Sequence, residues 1–295
     1  MSKNRPLLDR LHDRSWTEIS KLQTLPNPHP GLGQTQGSAG SVSGTHPWPK
    51  LCESYANGTV SSKNFRRILA TREIVETLGP VDGRFFAAYS RLSERDCFSD
   101  PIFKKINEWG DPVMWPGILL GTPSACSPTA LRYLAHSIWL VREGIVREGG
   151  NVVELGVGYG GLAAMNHWRS GTVTHLVDLP GVVDAALKML ASIHMESAAI
   201  AGDSNLPEDF CFVSNYAFTE LSSDLQDGYF DTYLARAPRG VIISNANVFA
   251  REIGGRTDAD LLKWFRNNGL DARVDKTCPI LGPADRSCEV SIIRW

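Results

Sequence analysis

No stretch of the chain stays apolar for the roughly 20 residues that a membrane-spanning helix needs. There is no basic excess either. The 30 Lys and Arg stand against 32 Asp and Glu, a net charge of −2, so neither nucleic acid nor an anionic membrane is expected as a partner. The six cysteines, Cys52, Cys97, Cys126, Cys211, Cys278 and Cys288, include no CxxC pair. That spacing argues against a zinc site or a disulfide framework and for reduced thiols. No H-E-x-x-H or clustered Asp/His spacing occurs, so no metal is expected. The opening residues Met1-Ser2-Lys3-Asn4-Arg5 lack an apolar signal region, which predicts a cytoplasmic protein. In that setting the sequon Asn57-Gly58-Thr59 reads as chance. No internal repeat is evident.

What is present suits a globular enzyme. At 295 residues and 42% hydrophobic content, the chain can bury one large core with a substantial extension. Residues 1–60 are polar, with a weakly amphipathic patch at Leu7, Leu8 and Leu11, then a Pro-, Gly- and Ser-rich run over 26–49. So little apolar surface predicts a largely disordered or extended segment. Residues 61–149 are predicted as a helical subdomain. Phe65, Ile68, Leu69, Ile74 and Leu78 recur at helical spacing up to Gly79-Pro80, and a second helix is predicted over 84–92. A loop runs from Asp111 to Pro128. Ser127-Pro128 then supplies an N-cap and a first-turn proline for a helix over 129–147. On that helix Arg132, Tyr133 and His136 share one part of the surface.

From residue 150 to 295 short apolar strands alternate with helices. Strands are predicted over 152–155, 173–177, 198–201, 210–214, 241–244, 271–276 and 289–294, with helices over 179–193, 225–237 and 258–268. This pattern implies an α/β, Rossmann-like doubly wound sheet of seven strands, mostly parallel, with an antiparallel C-terminal strand pair and the helical subdomain beside it.

The stretch that organises the chain is Val152-Val153-Glu154-Leu155-Gly156-Val157-Gly158-Tyr159-Gly160-Gly161. A buried strand passes through a glycine-dense turn into a helix, whose N-terminus points unpaired N–H groups at a ligand. The run formally fits G-x-G-x-x-G, with Asp178 where a ribose-binding acid would stand, so an NAD enzyme is the first reading to weigh. Three features oppose it. Glu154 sits two residues before Gly156 and would repel a pyrophosphate. Only one sheet's worth of chain follows residue 151. The terminal strand pair lacks a helix-linked sixth strand. S-adenosylmethionine satisfies all three, having no phosphate, a cationic sulfonium and ammonium, and a ribose diol.

The run 153–162 resembles the first motif of class I S-adenosylmethionine-dependent methyltransferases. More specifically, the chain resembles the sugar O-methyltransferases of bacterial polysaccharide and natural-product pathways. The resemblance rests on Gly110-Asp111-Pro112, Ser127-Pro128-Thr129 with Leu131-Arg132-Tyr133, the glycine loop, Val213-Ser214-Asn215-Tyr216-Ala217-Phe218-Thr219-Glu220-Leu221, Gln226, Tyr229, and Arg239-Gly240 leading to Ser244-Asn245. It covers about residues 105–295. Near the C-terminus Thr277-Cys278-Pro279-Ile280-Leu281-Gly282-Pro283 departs from the family's acidic, proline-rich turn.

The resemblance implies methyl transfer to a sugar hydroxyl, a small-molecule partner, with a homo-oligomer left open. Glu154, Gly156, Gly158, Tyr159, Gly160, Asp178 and Asp203 would hold the donor, with Asp178 on the ribose and Asp203 on the adenine. Both acids also read as turn or cap residues. Arg132, Tyr133, Ser244 and Asn245 would contact the acceptor. Glu220 would act as general base or orient the hydroxyl, with Asn215 and Tyr216 shaping the pocket. His167 and His175 are read as structural. Two alternatives stand beside this reading: methyl transfer to another small-molecule O or N acceptor, and an NAD-dependent oxidoreductase.

Overall fold

The computed structural model describes residues 41, 46–116, 125–202 and 206–295. Seven strands form one sheet: β1 Asn151–Leu155, β2 Val173–Val177, β3 Ala199–Ala201, β4 Phe210–Asn215, β5 Arg239–Ser244, β6 Arg273–Asp275 and β7 Ser291–Arg294. Their spatial order is β3-β2-β1-β4-β5-β7-β6. β1, β2, β3, β4 and β5 pair in parallel, while β7 runs antiparallel to both β5 and β6. The seven-stranded, mostly parallel sheet expected from the alternation is therefore present. The terminal strands pair as anticipated, but the short helix Pro283–Ser287 stands in the connection where only a loop was expected.

β1 and β4 lie at the centre, and their apolar side chains alternate between two cores. Val152, Val213, Ile243 and Ile292 face one core. Val153, Leu155, Phe212, Ile242 and Ile293 face the other. This is the period-2 geometry of a strand buried on both faces. Glu154 lies between Val153 and Leu155, so its side chain points to the same face as Val152.

Eleven α-helices are seen among the described residues. They are α1 Trp48–Ala56, α2 Leu69–Ile74, α3 Pro80–Ser93, α4 Pro101–Glu108, α5 Pro128–Arg142, α6 Gly161–Ser170, α7 Pro180–Ser192, α8 Ser223–Thr232, α9 Ala246–Ile253, α10 Asp258–Asn267 and α11 Pro283–Ser287. The first core is covered by α5, α6 and α7 with the N-terminal helices. The second is covered by α8 and α10 through Phe230, Leu261 and Phe265. No helix among the described residues is long and apolar enough to cross a membrane.

Several expectations need correction. Residues 48–56, inside the segment expected to be extended, form α1, because Trp48, Leu51, Cys52 and Tyr55 make one buried stripe. The amphipathic patch at Leu7, Leu8 and Leu11 lies outside the described residues. The helix expected to run up to Gly79-Pro80 ends already at Ile74, and Gly79-Pro80 opens the next one instead. Pro80 occupies the first turn of α3, where its missing N–H is harmless. The helix α4 was not anticipated, although Asp100 caps it by accepting the Ile102 N–H at 2.7 Å and Pro101 follows. At α5 the expected cap is found: the Ser127 hydroxyl accepts the Ala130 N–H at 3.2 Å.

Arg66 joins the subdomain to the glycine turn. It is 0% exposed. It donates to Glu76 at 2.6 Å, to the Ser127 hydroxyl at 2.7 Å, and to the carbonyls of Asn107 and Trp109 at 3.1 and 3.2 Å. Its guanidinium carbon lies 4.6 Å from the centroid of Tyr159. A buried charge is tolerated when it is paired and its donors are used, and here they are.

Candidate functional site

The strand order reverses between β1 and β4, and ligands of open α/β sheets bind outside the carboxyl ends of the strands at that point. A cavity of about 530 Å³ opens there. On its β1 side lie Glu154, Gly156, Gly158 and Asp178. On its β4 side lie Asn215, Tyr216, Glu220 and Asn245, with Arg132 and Tyr133 of α5 also on the wall.

The β1 side is built by the turn. Gly156 has φ +82, and a Cβ added there would stand 2.1 Å from the Cβ of Ala217. The position therefore demands glycine twice, for its backbone and for its closeness to the turn after β4. Gly156→Ala is expected to destabilise the protein by about 4 kcal/mol, from left-handed strain plus overpacking. Gly171→Ala is the control, since Gly171 has φ +63 but nothing within 4 Å, and should lose only about 1 kcal/mol. Urea unfolding would compare the two; equal losses would contradict the packing argument.

Two carboxyl groups stand over this turn. Asp178, half-buried, accepts the Val157 N–H at 2.9 Å and the Leu179 N–H at 2.8 Å. It thus ties the loop after β1 to the end of β2. Burial outweighs those hydrogen bonds and raises its pKa to about 6. Glu154 is 2% exposed, and its Oε2 has no hydrogen-bond partner. Burial, reinforced by the charge of Asp178, raises its pKa to about 8. Two acids pushed towards neutrality in one cavity form a site that a cation would relieve.

The β4 side rests on a strained turn. Tyr216 adopts φ +73, a region bulky residues avoid, directly before a 3₁₀ turn over Ala217–Glu220. Its backbone N–H donates to the Ile243 carbonyl at 2.9 Å and its hydroxyl to Asp285 at 2.8 Å. Glu220, half-buried, accepts the Asn245 side-chain N–H at 2.6 Å. The other end of that amide, Oδ1, lies 2.7 Å from the Thr219 hydroxyl, which fixes the amide orientation. Burial raises the pKa of Glu220 against the opposing Asn245 hydrogen bond. Asn215 approaches the Nδ1 of His136 at 3.3 Å.

Three of the expected site residues lie away from the cavity wall. Tyr159 is buried in the first core, stacked on Trp109 at 5.5 Å and edge-on to Tyr133 at 5.7 Å. The glycine turn carries it inward as an anchor. Gly160 caps α6 and faces Ala186. Ser244 is fully buried and donates to Asp258 instead. Asp203 lies outside the described residues. His175 is buried in β2, and His167 is 2.9 Å from the Thr172 carbonyl. Neither borders the cavity. Asp285 does border it and was not anticipated. Its partner Tyr216 is 69 residues away, and the local signal was only an acid in the first turn of a Pro-started helix. Among the described residues no group of three His, Cys, Asp or Glu could hold a metal ion.

No family model and no curated protein matches the chain. Solved structures do resemble it in fold. One is phosphoethanolamine N-methyltransferase 2 of Haemonchus contortus with S-adenosylhomocysteine, at 16% identity and TM-score 0.40, covering 49% of this chain and 39% of that one. Another is geranyl diphosphate C-methyltransferase of Streptomyces coelicolor A3(2), at 13% and 0.40, covering 54% and 74%. A third is magnesium protoporphyrin IX methyltransferase of Synechocystis PCC 6803 with bound S-adenosylmethionine, at 13% and 0.42, covering 56% and 79%. The chain thus spans well under half of the first of these proteins. The sheet order, with β7 reversed, is that of a Rossmann-like doubly wound sheet ending in an antiparallel strand pair. The likeness lies in the fold alone.

Proposed function

We propose that the protein transfers a methyl group from S-adenosylmethionine to a hydroxyl group of a sugar, free, nucleotide-linked or within a glycoconjugate. The observation that carries this reading is the buried Oε2 of Glu154, which has no hydrogen-bond partner, on a residue that lines the cavity beside the glycine turn. A cationic ammonium would satisfy that oxygen, whereas a pyrophosphate would be repelled by it. Support for the sugar comes from the resemblance of the block 213–221, and support for a hydroxyl comes from the Glu220–Asn245 pair on the opposite wall.

When bound, S-adenosylmethionine supplies a methyl group activated by a positively charged sulfur. Glu154 would hold its ammonium. Asp178, which already accepts loop N–H groups, would accept the ribose hydroxyls with its remaining lone pairs. Glu220 would accept the proton of the acceptor hydroxyl. Its raised pKa makes it a better proton acceptor near neutrality than an exposed carboxylate. Asn245 holds that carboxylate in place, and Asn215 and Tyr216 bound the space in which the hydroxyl must be aligned.

Thermal unfolding with S-adenosylhomocysteine and, separately, NAD tests the reading. A ligand at 100 times its Kd stabilises the native state by about 2.7 kcal/mol. S-adenosylhomocysteine should raise the midpoint and NAD should leave it unchanged. The reverse pattern would replace methyl transfer with nicotinamide chemistry.

A further inference from the structure

Two arginines next to the site are almost fully buried, and the fold treats them in opposite ways. Arg66 directs its donors to a carboxylate, a hydroxyl and backbone carbonyls. Arg132, 8% exposed, has no such set. Its Nε lacks a hydrogen-bond partner, and no ion pair reaches it among the described residues. Its neighbours are neutral aromatics. The guanidinium carbon lies 5.6 Å from the ring centroid of Tyr133 and 5.4 Å from that of Tyr216, whose phenol is its hydrogen-bonding neighbour.

A guanidinium carries five N–H donors and does not give up its proton, so burial without an anion is unfavourable. The acids whose charge bears on it, Asp285 and Glu76, are already engaged. Asp285 accepts from Tyr216 at 2.8 Å and from the Gly282 N–H at 2.9 Å. Glu76 accepts from Arg66 at 2.6 Å. Arg132 nevertheless borders the cavity. Its planar fork suits bidentate recognition of a carboxylate or phosphate.

We propose that Arg132 binds an anionic group, a carboxylate or a phosphate, carried by the acceptor. Its place in the cavity assigns it to the acceptor half. It packs on Tyr216, which leaves β4 and is tied to Asp285 near β7, whereas the charge bearing on Glu154 is that of Asp178 on the β2 side. Naming the ligand as the acceptor rests on the methyl-transfer reading; the anion site itself does not. The substrate class is thereby narrowed to acidic sugars, such as uronic acids, and phosphorylated or nucleotide-linked sugars.

The test follows thermal unfolding of the full chain in inorganic phosphate at constant ionic strength, with and without saturating S-adenosylhomocysteine. Phosphate should raise the midpoint by a few degrees in both states, and the two ligands should act additively, because their sites are separate. In Arg132→Gln the phosphate shift should vanish, while calorimetry shows S-adenosylhomocysteine bound within about twofold of wild type. The midpoint of ligand-free Arg132→Gln should equal or exceed that of wild type, since an uncompensated charge has gone; a purely structural arginine would leave a lower midpoint. Arg132→Lys keeps the charge without the fork and should keep part of the phosphate shift, which serves if the glutamine variant does not fold. The proposal is overturned if phosphate has no effect on wild type, if its effect survives in Arg132→Gln, or if the ligand-free glutamine variant melts lower. Competition between phosphate and S-adenosylhomocysteine, or a tenfold loss of its affinity in Arg132→Gln, would overturn it differently: the guanidinium would then hold the donor's own carboxylate. If wild type fails to bind S-adenosylhomocysteine at all, the methyl-transfer reading falls, and the phosphate arm still decides whether Arg132 is an anion site.

Discussion

Glu154→Gln should weaken S-adenosylhomocysteine binding by about a hundredfold or more, as expected for loss of a buried charge–charge contact, and should at the same time make the ligand-free protein more stable at pH 8. Both effects follow from one carboxyl group whose pKa is raised from 4.5 to about 8. Between those values the folded protein retains a proton that the unfolded chain has released. Stability therefore falls as pH rises from about 4.5 to about 8, by up to ~1.4 kcal/mol per unit. Glutamine removes that dependence, so the variant should gain a few kcal/mol over wild type at pH 8 and almost nothing at pH 5. Asp178, raised to about 6, adds a smaller dependence of the same sign that the variant keeps. Binding runs the other way. The ammonium needs the ionised carboxylate, so wild-type affinity should improve as pH rises from 6 to 8, approaching about tenfold per unit. Urea melts at pH 5 and 8 and calorimetry from pH 6 to 8 read both effects. An affinity flat with pH would remove Glu154 from the donor site.

Glu220→Gln should cut turnover by about 10²–10⁴, the range general-base catalysis supplies, with donor affinity held within about twofold. The substitution is isosteric, and the glutamine side-chain carbonyl can still accept the Asn245 N–H that reaches Glu220 at 2.6 Å, so folding should be preserved. Wild-type turnover should rise with pH through the raised pKa of Glu220 and then level off, because only the ionised form accepts the hydroxyl proton. The variant should lose that limb of the profile. Turnover within about threefold of wild type would confine Glu220 to a packing role.

Where these two acids stand was legible in the sequence to different depths. Glu154 and Asp178 could be placed because each follows from a strand and its end, and β2 occurs over the anticipated 173–177. Glu220 was expected one helical turn beyond Tyr216. It reaches the cavity instead through a 3₁₀ turn that opens on the positive φ of Tyr216. Ser244 shows the limit of such reasoning. It ends β5 as expected, yet its hydroxyl turns to Asp258 on α10, and that partner belongs to the helix packed behind.

Glycine at the tight turn, proline and serine at the start of α5, and the two-residue alternation in β1 and β4 are local rules, obeyed over a few residues, and the sequence alone determined them. Which buried charge has partners is a question of long-range contact. Arg66 meets Ser127 across 61 residues, while Arg132 meets two aromatic rings and a cavity. Both are arginines on helical segments, and only the packing of α5 against the turn after β4 makes one a structural tie and leaves the other facing an open site. Burial strips both of water, and the carboxylates that reach one and miss the other are placed by the tertiary fold.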